Sequence, residues 1–284
     1  MSICVSVIYL TKNGGNLFEE SMKTVLSQRV SFGFEVIAVD SGSTDGTLDL
    51  LRNLPARLYQ IPSNEFNFGL TRDYGFELAQ GEFVVAISQD AVPVGDDWLE
   101  NLIEPFADPS VAIVQGADTM PHDRRLFYWD KISFFYYTRD CARWRRQYDN
   151  IGVSFTSCAV RKSVWEQNRL GRVEMSEDKV FQKKVVEKGF KVVFQHKAKD
   201  YHSHLYTVSS LAKRSENEGI GWRQVGINYS LMDMMLDMFN VKAILLTFIG
   251  IATFNIFSLS ELLFPVIRPI FLFKGNKFTR SYVQ

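Results

Sequence analysis

The sequence predicts an α/β fold with a mostly parallel sheet flanked by helices, followed by a hydrophobic helical C-terminal region. Three observations carry this prediction. Short apolar, β-branched runs end at Leu10, Val39 and Ile87, and they alternate with segments whose apolar residues recur at helical spacing. Clusters of turn formers such as Lys12-Asn13-Gly14-Gly15 and Ser41-Gly42-Ser43-Thr44 separate the two kinds of segment. Late in the chain, Ala243 to Ser260 contains no charged residue.

Taken in order, Ile3 to Leu10 reads as a buried strand, and no basic region precedes it, so a core strand is expected and not a signal peptide. Leu17 to Gln28 reads as a helix through Leu17, Met22, Val25 and Leu26. Phe34 to Val39 is a second strand ending at Asp40, and Thr44 or Asp45 can cap the helix that begins near Thr47. Arg57 to Ile61 is a third strand, Leu70 to Ala79 a helix stopped by Gly81, and Val84 to Ile87 a fourth strand running into Ser88, Gln89 and Asp90. Such alternation predicts right-handed crossovers and helices on both faces. Beyond Trp98 the pattern loosens. It offers a short helix to Phe106, strands at Val111 to Gln115 and Phe155 to Val160, and a helix from Ser163. An amphipathic helix from Asp178 to Lys188 and a strand from Phe190 to Phe194 follow. Between them, residues 123–149 are rich in aromatics and arginines, including Phe135, Tyr136, Tyr137, Arg143, Arg145 and Arg146.

A length of 284 residues suits one large domain or two intimate ones, and 46% hydrophobic residues suffices for a core. Lys+Arg and Asp+Glu balance at 32 each, which argues against a nucleic-acid binder that works by bulk charge. Cys4, Cys141 and Cys158 are widely spaced with no metal-ligand pattern, so a reducing compartment is expected. In the tail, Ala243 to Ser260 sits at the lower length limit for a membrane span, and a second apolar run to Phe273 is interrupted by Pro265, Arg268 and Pro269. The basic residues Arg268, Lys274, Lys277 and Arg280 follow the first run and should be cytoplasmic. An in-plane or re-entrant helical pair at a membrane surface through 241–273 fits both. A buried helix pair or a homo-oligomer interface is the other reading.

In open α/β sheets, ligands gather at the carboxyl ends of strands. Asp40 and Asp90 both end strands there. Asp40 can accept the N–H of a pyrimidine base, with Thr11 and Asn13 reaching the same edge. Asp90 either starts the turn toward Pro93 or holds a divalent cation against phosphates. Arg72 is either a solvated charge or a bidentate clamp on a diphosphate. In Glu174-Met175-Ser176-Glu177-Asp178 the acids either favour a helix N-terminus or supply a general base on a rigid helix end. In Tyr201-His202-Ser203-His204 the imidazoles are either structural or complete a metal's coordination, which would tilt the site from Mg²⁺ toward Mn²⁺.

In this order the stretches resemble family-2 glycosyltransferases of the GT-A (Rossmann-like) fold, rhamnosyltransferase-like members in particular. The resemblance covers roughly residues 3 to 225 and rests on four stretches before residue 92. They are Val5-Ser6-Val7-Ile8 with Thr11 and Asn13, Glu35 to Thr47, Asn67-Phe68-Gly69 with Thr71-Arg72-Asp73, and Ser88-Gln89-Asp90-Ala91. Ala159 to Val164, Glu177-Asp178 and Tyr201-His202-Ser203-His204 continue it.

It implies nucleotide-sugar contacts from Thr11, Asn13, Asp40, Ser43, Arg72, Ser88 and Gln89. It implies a divalent cation, Mn²⁺ or Mg²⁺, at Asp90 with His202 or His204, and a catalytic base at Asp178 beside Glu177. The implied reaction is inverting transfer from a nucleotide-sugar donor to a hydroxyl of a glycan acceptor in cell-surface polysaccharide synthesis. The tail and the aromatic–arginine segment point to a lipid-linked acceptor at the cytoplasmic face of the inner or plasma membrane, with a peripheral or monotopic attachment. The expected plan is a nucleotide-sugar-binding half at 1–122, an acceptor and catalytic half at 123–231, and a membrane-associating tail at 232–284. Ser88 stands where relatives carry the first acid of Asp-x-Asp, and Asp73 where they often have Asn. Two other functions fit less of the chain. One is a degenerate glycan-binding scaffold; the other is a nucleotidyltransferase, whose phosphate loop Lys12-Asn13-Gly14-Gly15 matches poorly.

Overall fold

Side-chain alternation along the first strand sets the architecture: Val5, Val7 and Tyr9 enter one core and Ile8 the other. The computed structural model describes residues 3–121, 123, 125–134 and 138–279. Phe135, Tyr136, Tyr137 and Arg280 lie outside the described residues. Along the chain come β1 (Ile3–Thr11), α1 (Gly15–Leu26), β2 (Gly33–Asp40), α2 (Thr47–Arg52), β3 (Arg57–Gln60) and α3 (Phe68–Glu77). Next are β4 (Phe83–Ser88), β5 (Val92–Pro93), α4 (Trp98–Ile103), β6 (Val111–Thr119), α5 (Tyr128–Lys131) and α6 (Arg139–Gln147). The chain continues through β7 (Ser157–Arg161), α7 (Lys162–Glu166), α8 (Glu177–Glu187) and β8 (Lys191–Tyr201). It closes with α9 (Val208–Gln224), α10 (Leu231–Met238), α11 (Val241–Ala252) and α12 (Leu259–Lys277).

These elements form two compact units. The first comprises Met1–Thr119, Val153–Val173 and Glu177–His202; the second comprises Met120–Gly152, Glu174–Ser176 and Ser203–Gln284. The first unit holds one eight-stranded sheet in the order β3-β2-β1-β4-β7-β6-β8-β5. Pairings among β3, β2, β1 and β4 are parallel, as is β6 with β8. The pairings of β7 with β4 and β6, and of β5 with β8, are antiparallel. Parallel pairings therefore predominate, as expected. Two strands run further than their apolar runs suggest, β6 to Thr119 and β8 to Tyr201. Their distal halves are polar, so backbone pairing across a register shift at Gln115/Ala117 carries them, not a hydrophobic pattern. Gly116 sits at that shift, where a Cβ would lie 2.6 Å from the Ser157 hydroxyl and 3.0 Å from the Ala198 carbonyl.

Asp73 shows how one buried acid fixes a loop. Its carboxylate accepts from Trp165 Nε1 (2.7 Å) and from the backbone N–H groups of Leu170 (3.0 Å) and Gly171 (2.8 Å). Asp73→Ala would strand these donors, so it is expected to lower unfolding free energy by about 3 kcal/mol or more in chemical denaturation, whereas Asp73→Asn should cost less. An unchanged midpoint for the alanine variant would show that the loop is held by other contacts.

In the second unit α9 and α12 lie in close contact. Gly219 and Gly275 permit it: a Cβ at either would fall 2.2 Å from the Leu272 carbonyl and 1.9 Å from the Glu216 carbonyl, respectively. Pro265 and Pro269 do not break α12, because packing supplies what the lost backbone bonds do not. Phe264, Ile267 and Leu272 are buried along it, and Arg268, fully enclosed, pairs with Asp140 at 2.8 Å and Glu218 at 3.2 Å. Burial favours neutral Asp140, but Arg268 outweighs it and holds the carboxyl below its usual range. Upstream, Leu231–Ala252 is 22 residues long and apolar enough by length and composition to cross a membrane.

Candidate active site

The first unit gathers most of the sequence-predicted site residues along one edge of its sheet. Parallel register places Thr11 beside Asp40, and the threonine hydroxyl donates to Asp40 Oδ2 at 3.0 Å. Asp40 is fully buried and also accepts from the N–H groups of Gly42 and Ser43, each at 2.9 Å, and from the Ser43 hydroxyl. The turn after β2 therefore wraps its own strand-end carboxylate. Asn13, with φ 50°, accepts from the Thr44 N–H at 2.8 Å and donates its own N–H to Ser43 Oγ at 2.8 Å. Gln89 grips the β1 loop through both amide atoms, accepting from the Lys12 N–H at 2.9 Å and donating to the Lys12 carbonyl at 3.2 Å. Ser88 ends β4 opposite Leu10 and is half-buried.

Further along the edge, His202 Nε2 lies 3.7 Å from Asp90 Oδ1. Two carboxylates that the sequence reading missed stand beside them. Asp118 on β6 and Asp200 on β8 are paired in register. Asp200 is fully buried, and among the described residues neither of its oxygens has a hydrogen-bond partner. Burial lifts its carboxyl well above the usual range, the Asp118 charge adds to this, the nearby Ser157 hydroxyl opposes it, and Asp90 adds again. Burial also raises Asp118, with His202 and Lys179 pulling the other way. Asp118 is nonetheless exposed, near the carboxyl end of β6, an interior strand of the sheet. No local signal marked them: Asp118 and Asp200 lie within the polar ends of β6 and β8, not directly after an apolar run. His204 follows His202 by two residues and belongs to the second unit.

Arg72 and Glu177, 105 residues apart in sequence, form a buried pair with Nη2 to Oε1 at 3.2 Å. Burial raises the Glu177 carboxyl, Arg72 opposes this and Asp178 adds to it. The guanidinium lies over the Phe155 ring at 5.0 Å, and its Nε and Nη1 have no hydrogen-bond partner among the described residues. Asp178 opens α8 and accepts from the Lys179 N–H at 2.7 Å, with the Lys179 ammonium 3.4 Å from its other oxygen. That ammonium also donates to the Val153 carbonyl at 2.8 Å, which anchors it.

The acid–imidazole cluster fits a divalent cation on its own evidence. Asp200 leaves buried oxygens without a partner among the described residues beside the Asp90–His202 pair, and mixed oxygen and imidazole donors suit Mn²⁺ better than Mg²⁺.

The sequence profile described as Glycosyl transferase family 2 matches residues 6–168, more than half of the chain. The chain belongs to this family. This family-2 glycosyltransferase is 26% identical over 226 residues to the O-antigen chain rhamnosyltransferase RfbN of Salmonella typhimurium, covering 76% of this chain and 71% of that protein. It is 29% identical over 196 residues to the O-antigen chain rhamnosyltransferase WbaN of Salmonella anatum, covering 66% of this chain and 62% of that one. Among solved structures it resembles the mannosyltransferase PcManGT from Pyrobaculum calidifontis, in complex with GDP-Man and Mn²⁺, with a TM-score of 0.62 and 16% identity over 99% of this chain and 89% of that one. At that identity the likeness concerns the fold. The glycosyltransferase has a GT-A-like α/β sheet flanked by helices, the architecture its sequence predicts.

Proposed function

We propose that this glycosyltransferase moves a sugar, rhamnose by analogy with the two Salmonella relatives, from a nucleotide-sugar donor to a hydroxyl of a lipid-linked glycan acceptor. Transfer inverts the anomeric centre, depends on a divalent cation, and serves cell-surface polysaccharide synthesis at the cytoplasmic face of the membrane. The observation that carries this reading is the Asp90–His202 pair, backed by Asp118 and Asp200, at the same carboxyl end of the sheet as Asp40. Residues 1–122 supply the donor half, 123–231 the acceptor half, and 232–284 the membrane-associating tail.

In this reading Asp40, Thr11, Asn13 and Ser43 hold the nucleoside, with Ser88 and Gln89 shaping the edge. Arg72 turns its two unpartnered nitrogens to the diphosphate while Glu177 fixes its third. Asp90 and His202 would hold the cation, and His204, two residues further along the sequence, is the imidazole offered as a third ligand. A bound cation would offset the charge that develops on the departing diphosphate. Asp178, oriented by Lys179, takes the acceptor hydroxyl's proton as the new C–O bond forms on the face opposite the leaving group. One base and one displacement give inversion.

The test is a panel of UDP-, GDP- and dTDP-sugars assayed for binding and hydrolysis with Mn²⁺, Mg²⁺ or chelator. Cation-dependent turnover of one donor is expected. Binding without turnover across donors and acceptors would instead favour a glycan-binding scaffold, and no binding at all would sink the donor assignments.

A further inference from the structure

We propose that α10 and α11 lie in the plane of an anionic membrane surface, with an arginine-lined cavity beside them taking a lipid phosphate. This rests on the membrane reading above and gives it a specific face and a specific headgroup site.

The first observation is that α10 is amphipathic in the reverse sense. Its two acids, Asp233 and Asp237, are buried one turn apart. Arg143 Nη2 holds Asp233 at 2.5 Å, and the Tyr229 hydroxyl donates to Asp237 at 2.8 Å. The outward face is Leu231, Met232, Met235, Leu236 and Phe239, all exposed. The surface continues along α11 and past it, with Phe248 66%, Phe254 81% and Phe257 66% exposed. Water is a poor medium for a contiguous patch of this kind, and such patches mark membrane or protein contacts.

The geometry favours lying on the bilayer over crossing it. The 12 residues of α11 span roughly 18 Å at 1.5 Å per residue, well short of a hydrocarbon core of about 30 Å. α10 cannot extend it, because the chain breaks at Phe239–Asn240, where the Asn240 side chain caps the new helix by accepting from the Ala243 N–H at 3.2 Å. The buried acids also tie α10 to polar partners on its inner side. An interfacial helix pair satisfies all of these constraints.

The second observation is what lies at the break. Asn240 and Asp237 line a cavity of about 510 Å³ together with Arg139, Arg143, Arg145 and Arg146. Two carboxylates answer Arg139 and Arg143. The lining thus sets four arginines against Asp237, and Arg146 Nε donates to the Ala142 carbonyl at 3.1 Å, which orients its guanidinium. A basic cavity at the edge of an exposed apolar face complements an anionic lipid surface, phosphate in the cavity and side chains among the acyl chains. A second copy of this chain fits less well, since a two-fold contact over this face would bring arginines against arginines.

The full chain should pellet with vesicles of phosphatidylcholine plus phosphatidylglycerol, bind pure phosphatidylcholine more weakly, and lose the difference as salt is raised. Arg145→Glu with Arg146→Glu should weaken binding to the anionic vesicles ~30-fold, at about one kcal/mol for each basic residue removed from the surface. Arg145→Lys with Arg146→Lys should retain it, and Phe248→Ser should weaken binding to both vesicle types. Salt-independent, composition-independent binding by the unaltered chain would overturn the headgroup site without recourse to any variant. A dimer in solution that Phe248→Ser disperses, with no vesicle binding, would assign the face to a second copy. Donor hydrolysis measured in vesicle-free solution reports on the enzymatic reading separately, and the arginine variants should leave it unchanged.

Discussion

Asp178→Asn is expected to lower sugar transfer roughly 10²–10⁴-fold while leaving donor affinity nearly unchanged. The amide keeps the shape of the carboxylate but cannot accept the acceptor's proton at working pH. Its neighbours should stay in place, because Lys179 is anchored independently on the Val153 carbonyl. Donor contacts are assigned elsewhere, to the Asp40 pocket and Arg72, so the loss should fall on kcat and not on the donor's Kd. Glu177→Gln provides the contrast. It weakens the buried pair with Arg72, so it should raise the donor's KM more than it lowers kcat. Steady-state kinetics together with donor binding by calorimetry would separate the two patterns. Near-full transfer by Asp178→Asn would remove it as the base.

Asp90→Asn should bring a loss of similar size, at least ~10²-fold, because in the proposed mechanism several kcal/mol of charge stabilisation at the leaving group would come from a cation held there. Chelator should abolish transfer by the unaltered chain, with Mn²⁺ restoring it more fully than Mg²⁺ because an imidazole completes the site. The stability of the metal-free protein should move the other way. Burial and the Asp118 charge do most to keep the Asp200 carboxyl raised and Asp90 adds to them, so replacing it removes one unfavourable charge beside Asp200. The expected pair of results is an inactive variant whose metal-free Tm is equal to or above that of the unaltered chain. Loss of activity together with a lowered Tm would point to a structural role. Chelator-resistant transfer would end the cation assignment.

How much of this was legible in advance depended on how local each signal was. Asp40 and Asp90 were readable because Asp40 follows directly on an apolar run and Asp90 comes three residues after one, and a carboxylate there in an alternating α/β pattern has few other places to go. Asp118 and Asp200 were not, because the polar ends of β6 and β8 carry no hydrophobic alternation and only their mutual pairing extends them. The tail shows the same division. Composition marks Ala243 to Ser260 as apolar, yet only packing separates α12, which buries Phe264, Ile267 and Leu272, from α11, whose apolar side chains largely face outward. The reversed polarity of α10 was equally hidden, since its two acids look like an ordinary solvated face until Arg143 and Tyr229 are found on them.

Local sequence sufficed for the α/β class, the alternation of the first strands and helices, the family resemblance and the acids Asp40 and Asp90. All of these rest on residues adjacent in the chain, whose periodicity and turn chemistry act over a few positions. The tertiary structure alone decided which distant groups meet: Arg72 with Glu177 across 105 residues, Asp118 with Asp200, and arginines of α6 beside a break in an apolar helix pair. Those meetings depend on strand register and helix packing, which no local pattern encodes.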